Sequence, residues 1–236
     1  MFLYLILNLG SISIPFAYSF EKNMRFIRYW KEVLLSLSIV SAIFLIWDAI
    51  FTANGVWGFN PDYHLNILIL KMPIEEWMFF FCIPYASFFI HYSLGYFRPD
   101  FTLSEKVTKL ITVILFLVVV STLVLNFEKA YTAVNYSLLS LLLMISYFYG
   151  IEYLSRFYIA FLIILVPFFI VNGILTGTGL EEPVVWYNDD ENLGIRLLTI
   201  PIEDIGYAFT MIFGNVFLIE KFKAINLFKT TKSSSL

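Results

Sequence analysis

The sequence predicts an all-α integral membrane protein. It reads as seven transmembrane helices in a 3+1+3 parallel internal repeat, N-terminus outside and C-terminus inside. Three observations predict this. Hydrophobic residues fill 60% of the 236 positions and charged residues only 14%, whereas a soluble globular chain is nearer half apolar and a quarter charged. Seven apolar stretches approach the roughly 20 residues a helix needs to cross the hydrocarbon. A proline-acid motif recurs 128 positions after its first occurrence, together with the loop before it.

The seven stretches are 2–20, 33–51, 73–93, 110–126, 132–149, 157–175 and 201–219. They leave short connections and no soluble domain. The first lacks a basic n-region and an A-x-A-like end, and its first basic residue, Lys22, lies beyond it. That pattern predicts a retained helix rather than a signal peptide. The Lys and Arg distribution sets the direction. Lys22, Arg25, Arg28, Lys31, Arg98, Lys106, Lys109, Arg156, Lys221, Lys223, Lys229 and Lys232 fall on one side, which is therefore inside. Only Lys71, Lys129 and Arg196 fall on the other. The expected localisation is a multi-pass protein of the bacterial inner membrane. The tail from 223 to 236 ends in KTTKSSSL and is expected to be disordered.

Other classes are disfavoured by what the chain lacks. The net charge of −3 argues against nucleic acid as a partner. One cysteine, Cys82, leaves no intramolecular disulfide and no CxxC metal site. Two histidines, His64 and His91, are too few for a histidine-built metal centre, so no metal is expected. No GxGxxG or GxxxxGK[ST] occurs, so no dinucleotide or nucleotide fold is indicated and no cofactor is expected.

The repeat carries the functional signal. Pro73, Ile74, Glu75 and Glu76 recur as Pro201, Ile202, Glu203 and Asp204. At the same offset Phe59 and Asn60 match Tyr187 and Asn188, Phe79 matches Tyr207, and Phe81 matches Phe209. Upstream, Asp48 to Gly55 (DAIFTANG) aligns with Asn172 to Gly179 (NGILTGTG), with four extra residues in the second copy's loop. Two three-helix units joined directly would point in opposite directions, so the fourth helix acts as a spacer that makes them parallel. The expected organisation is a first repeat at 1–95, a linker with the spacer helix at 96–130, and a second repeat at 131–222. The two motifs should face each other across a pseudo-two-fold axis along the membrane normal.

A proline with acids at one helix start reads first as capping. Recurrence with the upstream loop, at the edge of the hydrophobic region where ionisable groups are costly, points to function. Neighbours on a helix point about 100° apart, so Glu75 and Glu76 cannot both enter one cavity. Glu75 and Glu203 are expected to face it, being identical in both copies, with Phe79 and Tyr207 one turn below. Asp48, Asn172, Asn60 and Asn188 are candidates to hydrogen-bond the acids, and the two loop asparagines read equally well as turn residues. Trp57 and Trp186 read as interfacial anchors, and His91 as structural. A carboxyl group kept protonated beside one kept ionised supplies an acid and a base, and aromatic faces stabilise a cation. Such a site suits isomerisation of a very hydrophobic alkene.

The motif Phe59, Asn60, Pro61, with Pro73-Ile74-Glu75-Glu76 and Pro201-Ile202-Glu203-Asp204 in a seven-span repeat, resembles the integral-membrane lycopene cyclase family in its fused form. The resemblance covers residues 1 to about 225. It implies acid–base, non-redox closure of the ψ-ends of lycopene to β-ionone rings, through γ-carotene to β-carotene, in carotenoid biosynthesis. It also implies Glu75, Glu76, Glu203 and Asp204 as the acidic residues. The implied partners are lycopene and related carotenoids, the lipid bilayer, and a second copy or another carotenoid enzyme. Alternatives are a small-molecule transporter with 3+1+3 repeats and a noncatalytic carotenoid-binding scaffold. A retinal-type photoreceptor is disfavoured, because 201–219 contains no lysine for a Schiff base.

Overall fold

The computed structural model describes the backbone of residues 2–233 and the side chains of residues 2–225. The chain is mostly helical: α1 (Leu3–Tyr18), α2 (Trp30–Asn54), α3 (Ile74–Phe97), α4 (Glu105–Leu125), α5 (Ala130–Tyr149), α6 (Ile151–Leu175) and α7 (Glu203–Ser233). Six helices are long and apolar enough to cross a membrane among the described residues. The seventh, α1, is apolar but has 16 residues, about 24 Å of rise. The expected seven full-length spans thus become six plus one shorter helix. α7 continues past the expected end at 219. Residues 234–236 and the side chains from 226 onward, most of the expected tail, lie outside the described residues.

Local chemistry sets the helix ends. Gly55 takes a left-handed φ of 72° as the C-cap of α2. The Ser104 hydroxyl caps α4 at the Val107 N–H. Gly150 separates α5 from α6 where a Cβ would lie 2.7 Å from the Phe217 ring. Pro73 sits one residue before α3 in extended conformation, so it is a strand residue and not the first residue of the helix. Pro201 likewise lies in a strand.

α3 and α7 form the centre. α1 packs on α3 and α5 on α7, while α2 and α6 each pack on both central helices. Exchanging the two triplets leaves this scheme unchanged. α4 packs on α5 and α6 and turns Leu117, Val118 and Val124 outward. Apolar contacts alone discriminate little between helices in lipid, and polar pairs add register. One such pair is the Ser36 hydroxyl of α2 donating to Asn215 Oδ1 of α7 at 2.9 Å.

The expectation of an all-α chain needs one correction. The loops at the motif end form three two-stranded sheets, because their backbone groups need partners where helices end. β2 (Leu68–Ile69) pairs with β3 (Met72–Pro73), and β5 (Arg196–Leu197) with β6 (Ile200–Pro201). β1 (Trp57–Phe59) pairs antiparallel with β4 (Val185–Tyr187) across the repeats, Trp57 opposite Tyr187, Gly58 opposite Trp186 and Phe59 opposite Val185. With the offset of 128 this register maps onto itself when the repeats are exchanged, so the pseudo-two-fold axis passes between Gly58 and Trp186. The flanking bonds obey the same symmetry: Asn60 N–H donates to Val184 O, and Asn188 N–H to Val56 O, at 2.9 and 2.8 Å.

One symmetric pair differs in chemistry. His64 Nδ1 accepts the Asn66 N–H at 3.0 Å, where the matching Asn192 Oδ1 accepts the Gly194 N–H at 2.7 Å. Burial holds the His64 imidazole below its ordinary 6.5, partly opposed by Glu75. The folded state therefore binds this proton less readily than the unfolded one, and stability falls as pH falls through the ordinary histidine range. His64→Asn, which copies the second repeat, should keep the turn and remove that contribution. Thermal unfolding in detergent between pH 5 and 8 should show a shallower acid-side loss in the variant; an unchanged profile would contradict the assignment.

Candidate active site

The two repeats place their acids identically, and the placement reverses the expectation within each pair. Glu75 Oε1 accepts the Leu65 N–H at 2.8 Å, and Glu203 Oε1 accepts the Leu193 N–H at 2.7 Å. Each is turned back into its own loop and fully buried. Asn8 of α1 and Asn135 of α5 donate to the backbone carbonyls of Glu75 and Glu203, at 2.8 and 2.7 Å. Glu76 and Asp204 are the residues that line the cavity. The cause is local. α3 begins directly after the extended Pro73 and α7 one residue further on, at Glu203 after Pro201 and Ile202, so the first acid meets the free N–H groups of the preceding loop, and the second points about 100° away, toward the axis.

Glu76 and Asp204 meet a shared set of polar and aromatic groups. The Tyr4 hydroxyl donates to Glu76 Oε2. The equivalent Tyr131 donates to Asp204 Oδ1 at 2.5 Å. Asp204 Oδ2 accepts from Asn172 Nδ2 at 2.7 Å and from the Tyr187 hydroxyl at 3.1 Å. Burial, reinforced by the Asp204 carboxylate, raises the Tyr187 hydroxyl well above the ordinary tyrosine value, so it remains a donor at neutral pH. Asp48 takes the place of Asn172 in the first repeat. Its Oδ1 accepts from Trp57 Nε1 at 2.5 Å and from Thr52 Oγ1 at 3.1 Å, and its carboxyl lies within hydrogen-bonding reach of Glu76. Asp48 Oδ2 is buried with no donor around it.

Asn60 and Asn188 are turn residues: their side chains accept the Asp62 and Asp190 N–H groups. Trp57 is not an interfacial anchor but a buried donor to Asp48, while Trp186 is 44% exposed. His91 is buried against Tyr92 and Phe157. Phe79 and Tyr207 line the cavity as expected. Sequence reasoning missed Tyr4, Tyr131 and Tyr187. A signal existed for the first two: Tyr-x-x-x-Asn occurs at Tyr4/Asn8 and again at Tyr131/Asn135, 127 positions later.

The cavity, of about 540 Å³, runs between α1, α3, α6 and α7. On α3 it extends from Glu76 to Ile90, about 21 Å of helix rise. All of its acids sit at one end. Ile6 and Gly10 of α1 and Pro167 of α6 line it while being exposed at the surface, so it opens sideways between those helices. Around the acids the aromatic rings pack densely. Tyr131 stacks on Tyr187 at 5.8 Å, and Trp57 meets Tyr131 edge-on at 5.2 Å. No group of three or more His, Cys, Asp or Glu side chains is arranged to hold a metal ion among the described residues.

A family model described as lycopene cyclase matches residues 1–94 and 128–222. The chain belongs to the lycopene cyclase family. The matched segments are the two repeats, and the gap between them takes in α4, the helix without a counterpart. Membership brings an enzymatic role in carotenoid biosynthesis and agrees with a multi-pass membrane protein. A search of curated proteins and a search of solved structures each returned no match.

Glu75 and Glu203 have a structural task that a neutral isostere can share. Removing either side chain leaves a loop N–H without its acceptor, which costs about 1–3 kcal/mol. Glu75→Ala and Glu203→Ala should each lower thermal stability in detergent. Glu75→Gln and Glu203→Gln keep an acceptor oxygen and should lose less. Equal losses for Ala and Gln would show that the carboxylate charge, not the bond to the loop, is what matters.

Proposed function

We propose that the chamber closes the ψ-ends of lycopene to β-ionone rings by acid–base chemistry with no net redox change. The observation that carries this is the unequal hydrogen bonding of two symmetry-related acids in one apolar, aromatic-walled cavity. Asp204 receives three side-chain donors, the environment of a carboxylate, which only accepts. Glu76 receives one side-chain donor, Tyr4, and faces a second carboxyl, Asp48. Two carboxylates have no hydrogen to share, so a proton on this pair supplies what the orphaned Asp48 oxygen lacks.

The reaction follows from that asymmetry. The Glu76–Asp48 pair gives its proton to the terminal double bond of the ψ-end, leaving a tertiary carbocation. The internal double bond attacks, forming the ring bond and moving the positive charge onto the ring. Asp204 takes a ring proton, and the electrons of that C–H bond become the ring double bond. The product is an isomer of the substrate. Trp57, Tyr131 and Tyr207 offer aromatic faces to the cation, and the apolar walls exclude water that would capture it. Opening toward lipid suits a substrate dissolved in the bilayer. The same reading places the acids at the outer side of a bacterial inner membrane.

Expression in lycopene-accumulating bacteria should turn red cells yellow-orange, with ring-bearing carotenoids on chromatography. Unchanged lycopene beside well-inserted protein would overturn the reading in favour of transport or simple binding. Loss of general acid or base typically costs 10²–10⁴-fold. Glu76→Gln and Asp204→Asn should each fall by about that factor without loss of membrane insertion. Asp48→Asn installs the amide of the second repeat. It keeps a hydrogen bond to Glu76 but removes the shared proton, so it should fall with them. Full activity in that variant would reassign the acid.

A further inference from the structure

The chamber is not symmetric, although the fold that builds it is. Exchanging the repeats maps α1, α3, α6 and α7 onto α5, α7, α2 and α3, so the fold defines a second chamber between α5 and α2. Every wall of that second space is present, and the space is filled. Val171 of the open chamber corresponds to Trp47, Ala208 to Phe80, Leu175 to Phe51 and Ser11 to Leu138. All four exchanges enlarge the side chain. Trp47, Phe51 and Phe80 are buried and pack with Leu138 in one apolar cluster. The Trp47 ring lies 4.9 Å from that of Tyr207, with Phe44 at the same distance on the same ring. The Trp47 N–H is buried with no acceptor. An unmet indole N–H costs stability, so the residue contributes here through its volume rather than its polar group.

We propose that Trp47 and Phe80 plug a second, symmetry-related substrate chamber, leaving this enzyme one chamber for a substrate with two identical ends. A carotenoid ring-closed at one end must then leave through the gap between α1 and α6 and return reversed before its other end can react. This rests on the cyclase reading for the identity of the substrate. The number of chambers stands on packing alone.

Two measurements test it, and the first needs no catalysis. Purified full-length protein in nanodiscs, loaded with lycopene, should hold one polyene per chain. Val171→Trp with Ala208→Phe should reduce this toward zero, and Trp47→Val with Phe80→Ala should raise it toward two. Trp47→Phe, which keeps a large apolar ring, should stay at one. Two polyenes per wild-type chain, or one in a folded W47V/F80A variant, would overturn the plug. The second measurement uses the wild-type protein. Labelled lycopene is supplied with a tenfold excess of unlabelled one-ringed carotene. Release between steps predicts that labelled one-ringed carotene collects in the pool, where the excess delays its second closure. Label reaching two-ringed product while none collects as one-ringed carotene would overturn the single chamber. If wild-type protein forms no rings at all, the cyclase reading fails, while the polyene count still decides the number of chambers.

Discussion

A carboxyl group withdrawn from water must find its hydrogen-bond partners within the protein, and this chain buries five of them near one end of a helical bundle. That requirement organises the rest. Lipid offers no donors, so each acid is matched to a tyrosine, an amide, an indole or a loop N–H. Helix positions, strand register and loop conformation all follow from keeping those donors in place. The short sheets are part of the same solution. They fix the loops that present Leu65 and Leu193 to the outer pair of acids, and Trp57 and Tyr187 to the inner group.

The division of labour within each acidic pair is the most informative detail of the site. One acid is spent on the loop, the other on the cavity, and the two repeats agree on which does which. They differ in what surrounds the inner acid. An aspartate in the first repeat stands where the second has an asparagine, so the inner acid of the first repeat faces a carboxyl where that of the second faces an amide donor, the difference on which the proposed acid and base roles rest. The repeat supplies two inner carboxyls at matching positions, Glu76 and Asp204, with unlike neighbours.

Much of this was legible in the sequence. The repeat, the parallel arrangement, the equivalence of Asp48 with Asn172, and the aromatic residues one turn from the acids could all be read from spacing. Which acid of each pair faces inward could not. That depends on the helix starting after the proline, at Ile74 in the first repeat, and on a loop N–H ten residues upstream, neither of which leaves a periodic trace. Tyr4 and Tyr131 escaped notice because their repeat is offset by 127 rather than 128 and consists of two residues. The three-residue strands are too short for alternation to declare them. The sequence suggests a longer α1 because its apolar character continues to Phe20, while the helix ends at Tyr18.

The contact at the axis has a consequence for ancestry. Gly58 and Trp186 meet where the repeats cross, and a methyl group on Gly58 would sit 2.3 Å from the indole. The indole occupies the place a side chain on Gly58 would take, so this crossing uses unlike residues on its two sides. In this form it could arise only after the two repeats had diverged at that position.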